Sequence, residues 1–291
     1  MPIKDPSYDA LRAFLAEVTD LKNHFHSASV MEPRERPAFT DETDCEAYLS
    51  LPLPAVGGDC SAFFGIRRAL GDRGIAEVYL GNNPAGTVAE RMGSETFALF
   101  TATHRDLIHA LCARERDIIL RALDFLISQG IGPFFTLQGQ EYIVPPLHGR
   151  RDFLDFNVQY DKPIADKIHN AGGRLHIHCH GHLKLVLDGF LETGADVLHP
   201  VEPPPMGNVS AAEARKVLGD KVCIEGNIQI SNMYGNTPEQ IREETAALIR
   251  DAYTGGKGLI VSPTASAYIP GGGEACLAQY KAMAETVMSH T

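Results

Sequence analysis

The second half of the chain alternates between short apolar runs and segments with helical spacing, and this alternation restricts the possible folds most strongly. The strand-like runs are RLHIHCH (174–180), ADVLHPVEP (195–203), KVCIEGNI (221–228) and GLIVSPTAS (258–266). Two of the helices between them begin with the pattern of a capping box, Ser210 with Glu213 and Thr237 with Gln240. Repeated β-α units of this kind are typical of a parallel sheet.

The first half continues the alternation less regularly. Two more strands are predicted at GIAEVYLGNN (74–83) and GPFFTLQGQEYI (132–143), with a long amphipathic helix at 104–130 between them and a short helix starting after Asp161. Residues 1–70 have an irregular pattern, with a helix around Tyr8–Thr19 and no clear strand. Six β-α units without a linker predict one (β/α)8 TIM barrel domain over residues 1–291. A doubly wound open sheet is the alternative, but the chain has no GxGxxG or P-loop pattern.

Three histidines occupy alternate positions of the run at 174–181, with apolar residues between them. In a strand, successive side chains point to opposite faces, so His176, His178 and His180 are expected on one face. Neutral imidazole is a common ligand of zinc and similar ions. The run therefore favours a metal or catalytic site, and the alternative is that the histidines are polar strand residues hydrogen-bonded inside a core.

Polar side chains also follow the predicted strands at their carboxyl ends, where the active site of a TIM barrel lies. Candidates for acid–base catalysis there are Glu141, Glu202 and Glu225, and candidates for cofactor contact are Asn227, Thr264 and Ser266. His178 and His180 with Glu141 predict a two-histidine, one-carboxylate site for zinc or another divalent metal. Such a site leaves a position open for substrate or water, and the ion acts as a Lewis acid. The alternative is that each glutamate pairs with an arginine or lysine.

Charge and cysteine content narrow the classes of partner. The formal net charge of -11 and the pI of about 5.5 disfavour nucleic acids and anionic membranes as partners. No apolar run approaches the roughly 20 residues that span a bilayer, and the first residues do not have the pattern of a secretory signal. The six cysteines form no CxxC pair, which predicts reduced thiols in a cytoplasmic protein and disfavours a structural zinc site of the zinc-finger type.

Ordered motifs in the back half resemble a known family. The motifs are HCHG at 178–181, GADVLHPVEP at 194–203, IEGNIQI at 224–230 with the following TPEQIREE helix, and GLIVSPT at 258–264. They are similar to those of the uroporphyrinogen decarboxylase-like superfamily, which includes zinc-dependent corrinoid and thiol methyltransferases. The resemblance covers about residues 95–290 and implies a (β/α)8 barrel that is often a homodimer.

The motifs differ between the branches of this superfamily. The decarboxylases carry an N-terminal Met-Arg-Gln-Ala-Gly-Arg run that grips substrate carboxylates, and PRERPAF at 33–39 is only a weak echo of it. The methyltransferases carry a His-x-Cys-Gly motif and a later cysteine. In this chain His178 matches the first histidine, His180 replaces the first cysteine and Ala265 the later one. The resemblance thus implies a metal site richer in nitrogen and oxygen ligands.

The leading interpretation is a metal-assisted methyltransferase acting on a small molecule, with a corrinoid, a folate or a thiol as the other methyl carrier and a corrinoid protein as a candidate partner. The alternatives are a cofactor-free, decarboxylase-like lyase that uses the histidines and glutamates to move protons, and a barrel that has lost catalysis and binds a ligand. Ala265 at the expected cysteine position favours the last of these.

Overall fold

The computed structural model describes residues 37–269 and 272–290. Its six strands form one parallel sheet in which each strand pairs with the next along the chain. The strands are β1 (Glu77–Asn82), β2 (Phe134–Gln138), β3 (Arg174–His178), β4 (Val197–His199), β5 (Cys223–Ile228) and β6 (Leu259–Pro263). All six lie within the runs predicted from the sequence, and β3 ends two residues before His180. The helix predicted around Tyr8–Thr19 lies outside the described residues.

Helices follow the strands and cover the outer face of the sheet. The helices are α1 (Glu42–Ser50), α2 (Ser61–Leu70), α3 (Pro84–Met92), α4 (Ser94–Thr103), α5 (Arg105–Ser128), α6 (Arg150–Asp152), α7 (Gln159–Asn170), α8 (Gly189–Thr193), α9 (Ala211–Leu218), α10 (Ile230–Gly235), α11 (Pro238–Ala252), α12 (Gly272–Ala275) and α13 (Leu277–His290). Both predicted capping boxes are present, at the start of α9 and of α11. In the described part of the chain, no helix has the combination of length and apolar character that a membrane crossing requires.

The two faces of the sheet differ in chemistry. On the outer face, Leu175, Ile177 and Leu198 are fully buried against the helices. On the inner face, Thr136 pairs in register with His176, and Gln138 with His178, which in turn pairs with His199. Because all strands run in the same direction, their carboxyl ends meet at one mouth. The sequence places imidazoles there through simple alternation.

The sheet is strongly curled. Glu77 of β1 and Glu225 of β5 both approach the same imidazole, that of His176 in β3, at 2.9 and 3.8 Å. In a flat sheet, β1 and β5 would lie about 19 Å apart, since neighbouring strands are about 4.8 Å apart. The predicted α/β class and TIM-barrel fold are thus confirmed. Of the eight strands expected, the described residues hold six, and the chain between β2 and β3 forms only helices in its regular parts.

Two local predictions need correction. The helix expected to start after Asp161 belongs to a helical stretch that runs from Arg150 to Asn170, so Asp161 is internal and buried. Pro163 is inside this stretch. It lies just after a π-helix at Phe153–Val158, where the hydrogen-bond spacing already changes. Residues 37–70, expected to be irregular, contain α1 and α2. They form no strand, as predicted.

Candidate active site at the barrel mouth

Two neutral imidazoles face each other where β3 and β4 end. The Nδ1 atoms of His178 and His199 are 2.8 Å apart, a distance that requires one nitrogen to donate a proton and the other to accept it. Burial and the charges of neighbouring histidines lower the pKa of His178 to about 3, and burial is the largest cause of the lowering of the pKa of His199 to about 4. Both rings are therefore uncharged at neutral pH.

A third group decides which of the two rings donates the proton in this hydrogen bond. Nε2 of His199 lies 3.3 Å from the carbonyl oxygen of Pro263, which can only accept a hydrogen bond. His199 thus carries its proton on Nε2 and presents the lone pair of Nδ1. His178 must then donate from Nδ1, which leaves its Nε2 as an unprotonated nitrogen with a free lone pair. No hydrogen bond from a described residue uses this nitrogen.

His180 has the opposite electrostatic environment. Its Nδ1 is 3.0 Å from Oε2 of Glu202, which is almost fully buried and also accepts the Gly181 N–H at 3.4 Å. Burial alone would lower the pKa of His180, but the hydrogen bond to Glu202 and the charges of Glu202 and Glu141 outweigh it and raise the pKa. The His178 and His180 ring centres are 4.7 Å apart. A base and an acid therefore stand side by side, the usual sign of an acid–base pair.

A second polar layer lies deeper inside the barrel. His176 hydrogen-bonds Oε1 of Glu77 through Nδ1 at 2.9 Å, and its Nε2 faces Oε2 of Glu225 at 3.8 Å, which is too long for a hydrogen bond. Burial would lower the pKa of His176, but the hydrogen bond to Glu77 and the two negative charges raise it instead. Three alternate strands contribute one residue each to this layer, as expected for the interior of a TIM barrel.

Glu141 lies in a 3-10 turn after β2. Gly139 at φ 101° allows the chain to turn there, and the Glu141 carboxylate accepts the Gly139 N–H at 3.0 Å. Burial raises the pKa of Glu141. Hydrogen bonds within its own turn and the positive charge of His180 oppose this rise but do not cancel it. Within the described residues it makes no hydrogen bond or ion pair with His178 or His180. Its role as a ligand stays a prediction.

The other predicted residues differ in their surroundings. Glu202 and Glu225 contact histidines, and among the described residues neither pairs with an arginine or lysine. Asn227 donates to the carbonyl of Val201 at 2.9 Å and Thr264 accepts the Ile230 N–H at 3.1 Å, so both link neighbouring strand ends. The exposed Ser266 makes no such contact. Contact of these three with a cofactor also stays a prediction.

The structure has the donor atoms of the predicted metal site, but they are not arranged around one point. Among residues 37–269 and 272–290, no three His, Cys, Asp or Glu side chains converge as ligands of one ion. His178 and His180 direct Nδ1 to His199 and Glu202 instead. The available donors, imidazole nitrogen and carboxylate oxygen, are those that zinc takes, and Nε2 of His178 is unprotonated. The donor set thus fits a divalent ion only after some of its side chains rotate.

Three residues of this cluster were not selected from the sequence as site residues: Glu77, His176 as a partner of acids, and His199. His199 could have been found, because it ends β4 as His178 ends β3. Glu77 has no comparable signal, since it starts a strand, whereas the active site of a TIM barrel lies at the carboxyl ends of the strands. Its approach to His176 depends on the curl of the sheet.

Comparison with known proteins gives consistent matches. The sequence model of the family described as Uroporphyrinogen decarboxylase (URO-D) matches residues 84–288, about seven tenths of the chain. Uroporphyrinogen decarboxylase of Pseudoalteromonas translucida (strain TAC 125) is 24% identical over 155 residues, which cover 51% of this chain and 40% of that protein. Uroporphyrinogen decarboxylase of Chlorobaculum tepidum (strain ATCC 49652 / DSM 12025 / NBRC 103806 / TLS) is 35% identical over 101 residues, which cover 34% and 27%. The chain thus spans about two fifths or less of the length of these curated relatives.

One solved structure has a similar fold. A methyltransferase from Methanosarcina mazei superposes with a TM-score of 0.66 at 15% identity, over 88% of this chain and 72% of that one. At this identity the likeness shows the shared fold.

Proposed function

The chain belongs to the uroporphyrinogen decarboxylase family, and on this premise we propose that it is an enzyme of the family that transfers a methyl group at the barrel mouth. The observation that carries the proposal is that two neighbouring histidines, His178 and His180, have environments that shift their pKa values in opposite directions. The unprotonated Nε2 of His178 lies next to His180, whose pKa Glu202 helps to raise. Methyl transfer between heteroatoms requires both an acceptor and a donor of a proton.

The proton balance follows from the geometry. When a thiol accepts a methyl group from an oxygen or nitrogen atom, the thiol loses a proton and the leaving heteroatom gains one. Nε2 of His178 takes the first proton and His180 gives the second, so the pair holds the same number of protons before and after. The two rings are 4.7 Å apart, so proton return between them, directly or through one water, restores the starting state.

Zinc is the metal proposed for this site. His178 and His180 would hold it as nitrogen ligands, with Glu202 or Glu141 as the carboxylate, and the proton exchange described above belongs to the metal-free pair. When bound, the ion would supply Lewis acidity toward the acceptor thiol or alcohol. Glu202 is the better placed of the two acids because its carboxylate already contacts His180, whereas that of Glu141 binds its own turn. A corrinoid or a folate is proposed as the methyl carrier on the other side of the reaction. A folate nitrogen gains a proton when it loses the methyl group, whereas methylcob(III)alamin leaves as cob(I)alamin and takes none.

A decarboxylase-like lyase is the second candidate, favoured by the curated relatives, which are uroporphyrinogen decarboxylases. A protonated His180 could protonate the carbanion that remains after loss of carbon dioxide. Against this candidate, the chain has no Met-Arg-Gln-Ala-Gly-Arg run. In addition, the mouth glutamates of the described residues have no arginine or lysine beside them that would attract substrate carboxylates.

A direct comparison of the two reactions tests the proposal. The purified protein, with zinc supplied, is incubated with methylcob(III)alamin and a thiol, and demethylation is followed by visible absorbance. A parallel reaction measures carbon dioxide release from uroporphyrinogen. We expect demethylation and no carbon dioxide release, and His178→Ala and His180→Ala should each reduce the rate by about 100-fold or more. His104→Ala, a histidine paired with Glu42, is the control and should keep the rate.

Carbon dioxide release that depends on His180 would overturn methyl transfer in favour of the lyase. If neither reaction occurs but a corrinoid or tetrapyrrole binds with high affinity, the barrel is a binding protein and the proposal is wrong.

A further inference from the structure

A fully buried carboxyl group lies behind the mouth turn that carries Glu141. Asp161 of α7 has no exposed surface. Its Oδ2 accepts a hydrogen bond from Nε2 of Gln140 at 2.9 Å, and Nδ2 of Asn83 lies 3.0 and 3.1 Å from its two oxygens. No arginine or lysine of the described residues pairs with it. Burying a carboxyl group without a cation costs free energy, and the hydrogen bonds that the group accepts offset part of this cost.

The hydrogen bonds connect the ends of two strands to the helical stretch behind them. The backbone N–H of Asn83 donates to the Gln138 carbonyl at 2.5 Å, and Nδ2 of Asn83 donates to Oδ1 of Asn157 at 2.8 Å. Nδ2 of Asn157 donates to the backbone carbonyl of Gln140 at 3.2 Å. Gln140 is therefore held at its side chain by Asp161 and at its backbone by Asn157.

The turn is also in tight contact with α3 on its other side. A Cβ atom built on Gly86 would lie 2.6 Å from the Gly139 carbonyl oxygen, so only glycine fits at this position. The turn formed by Gly139, Gln140 and Glu141 is thus enclosed between α3 and the helical stretch. Its position depends on contacts made from behind, away from any substrate.

We propose that Asp161 is a positioning residue, which fixes the Gly139–Glu141 turn at the barrel mouth through the side chain of Gln140. Asp161 itself touches no substrate. The proposal rests on the proposed function in one respect, which is that Glu141 is taken to be a functional residue of the mouth. The hydrogen bonds that carry it hold whichever reaction the mouth performs.

The contact between Asp161 and Gln140 can persist when Asp161 takes up a proton, because one atom of the Gln140 amide is still without a partner. Burial raises the pKa of Asp161 to about 7, although the hydrogen bonds from Gln140 and Asn83 act in the opposite direction. Oε1 of Gln140 is buried and has no partner. After a flip of the Gln140 amide, a protonated Asp161 donates to this oxygen. The nearby titratable groups, Cys112 of α5 and Cys179 after β3, have pKa values raised by burial and stay uncharged.

Hydrogen exchange measured by mass spectrometry on the full chain tests this role without any substrate. In Asp161→Ala, the peptide covering residues 139–143 should exchange roughly tenfold faster than in the wild type, because its buried anchor is gone. In Asp161→Asn, exchange should stay near the wild-type rate, since the new amide can donate to Oε1 of Gln140. Ile164→Ala is the matched control, a change of a fully buried residue on the same helix that should not accelerate this peptide selectively.

The same measurement on Gln140→Leu keeps the test valid if Asp161→Ala does not fold. That variant retains Asp161 and should show the same selective acceleration at 139–143. The proposal is overturned if Asp161→Ala and Ile164→Ala accelerate all peptides of the barrel equally, or if Asp161→Asn behaves like Asp161→Ala. Absence of methyl transfer in the wild type and in every variant, with this exchange pattern intact, would instead count against the proposed function alone.

Discussion

The hydrogen bond from His199 to the Pro263 carbonyl decides which nitrogen of His178 can act as a base. A backbone oxygen at the end of β6 thereby sets the tautomer of a ring on β3, through a ring on β4. Tautomers fixed by a further partner are common around catalytic and metal-binding histidines. His180 also has a further partner. This partner is the carboxylate of Glu202, and it raises the pKa of the ring.

The two mouth acids should therefore contribute unequally. Glu202→Gln should lower zinc affinity or the methyl-transfer rate by about 100-fold, because His180 loses its charged partner, and Glu141→Gln by about tenfold. Affinity is measured by competition with a chelator and the rate by the corrinoid assay. Glu239→Gln on the exposed side of α11 is the control. A larger loss in Glu141→Gln than in Glu202→Gln would reverse the assignment of the carboxylate.

Burial of Asp161 predicts a pH dependence of stability. Its pKa of about 7 lies above the ordinary value of 3.8, so between these two values the native state holds a proton that the unfolded state has released. Stability from this group is complete below about pH 4 and decreases as pH rises toward 7, by at most about 1.4 kcal/mol per pH unit. Urea unfolding of the wild type and Asp161→Asn from pH 5 to 8 measures the difference. A difference that does not change with pH contradicts the elevated pKa.

At the scale of elements, local signals placed the two capped helix starts accurately and some helix ends less so. Ser210 and Thr237 each accept the backbone N–H three residues ahead, as the sequence predicted. The long helix α5 ends at Ser128, close to the predicted limit, but α11 ends at Ala252, before Gly255 and Gly256, although glycine is a usual helix stop. Caps act within one turn of a helix, whereas helix ends also depend on what the following residues pack against.

The capping box of α9 gives a prediction at this scale. Ser210→Ala should lower the free energy of unfolding by about 1 kcal/mol, because the Glu213 N–H loses its acceptor. Ser128→Ala is the control and should change it by less than about 0.5 kcal/mol, because it removes only two exposed hydrogen bonds near the end of α5, one to the Phe125 carbonyl and one from Nε2 of Gln129. Both are measured by urea unfolding. Equal effects would show that the cap of α9 contributes little.

At the scale of the whole molecule, the barrel buries one face of its sheet much better than the other. On the outer face Ile224 of β5 is fully buried. On the inner face, Tyr79 of β1 and Ile260 of β6 are 58% and 43% exposed. No pairing joins β1 to β6 within the described residues. Stability therefore comes mainly from the helices packed outside, whereas part of the inner face is exposed.

A pair of matched substitutions tests this asymmetry. Ile224→Ala should destabilise the protein by about 2–5 kcal/mol, as expected for a fully buried isoleucine. Ile260→Ala, the same change on the neighbouring strand but on the inner face, should cost less than about 1 kcal/mol because the side chain is half exposed. Urea unfolding of both variants measures the difference. A similar, large loss in both would mean that the barrel interior is packed and closed.

The sequence by itself determined the parallel α/β architecture, the positions of the six strands, the two capping boxes and the presence of His178 and His180 at the barrel mouth. These features depend on alternation and on contacts within a few residues, which the order of amino acids states directly. The tertiary structure alone decided that Glu77 and Glu225 approach His176, that His199 orients His178, and that Asp161 is buried behind Gln140. These contacts join residues 21 to 99 positions apart. They exist because the sheet curls and because a helical stretch begins well before Asp161, and neither property is encoded in a local pattern.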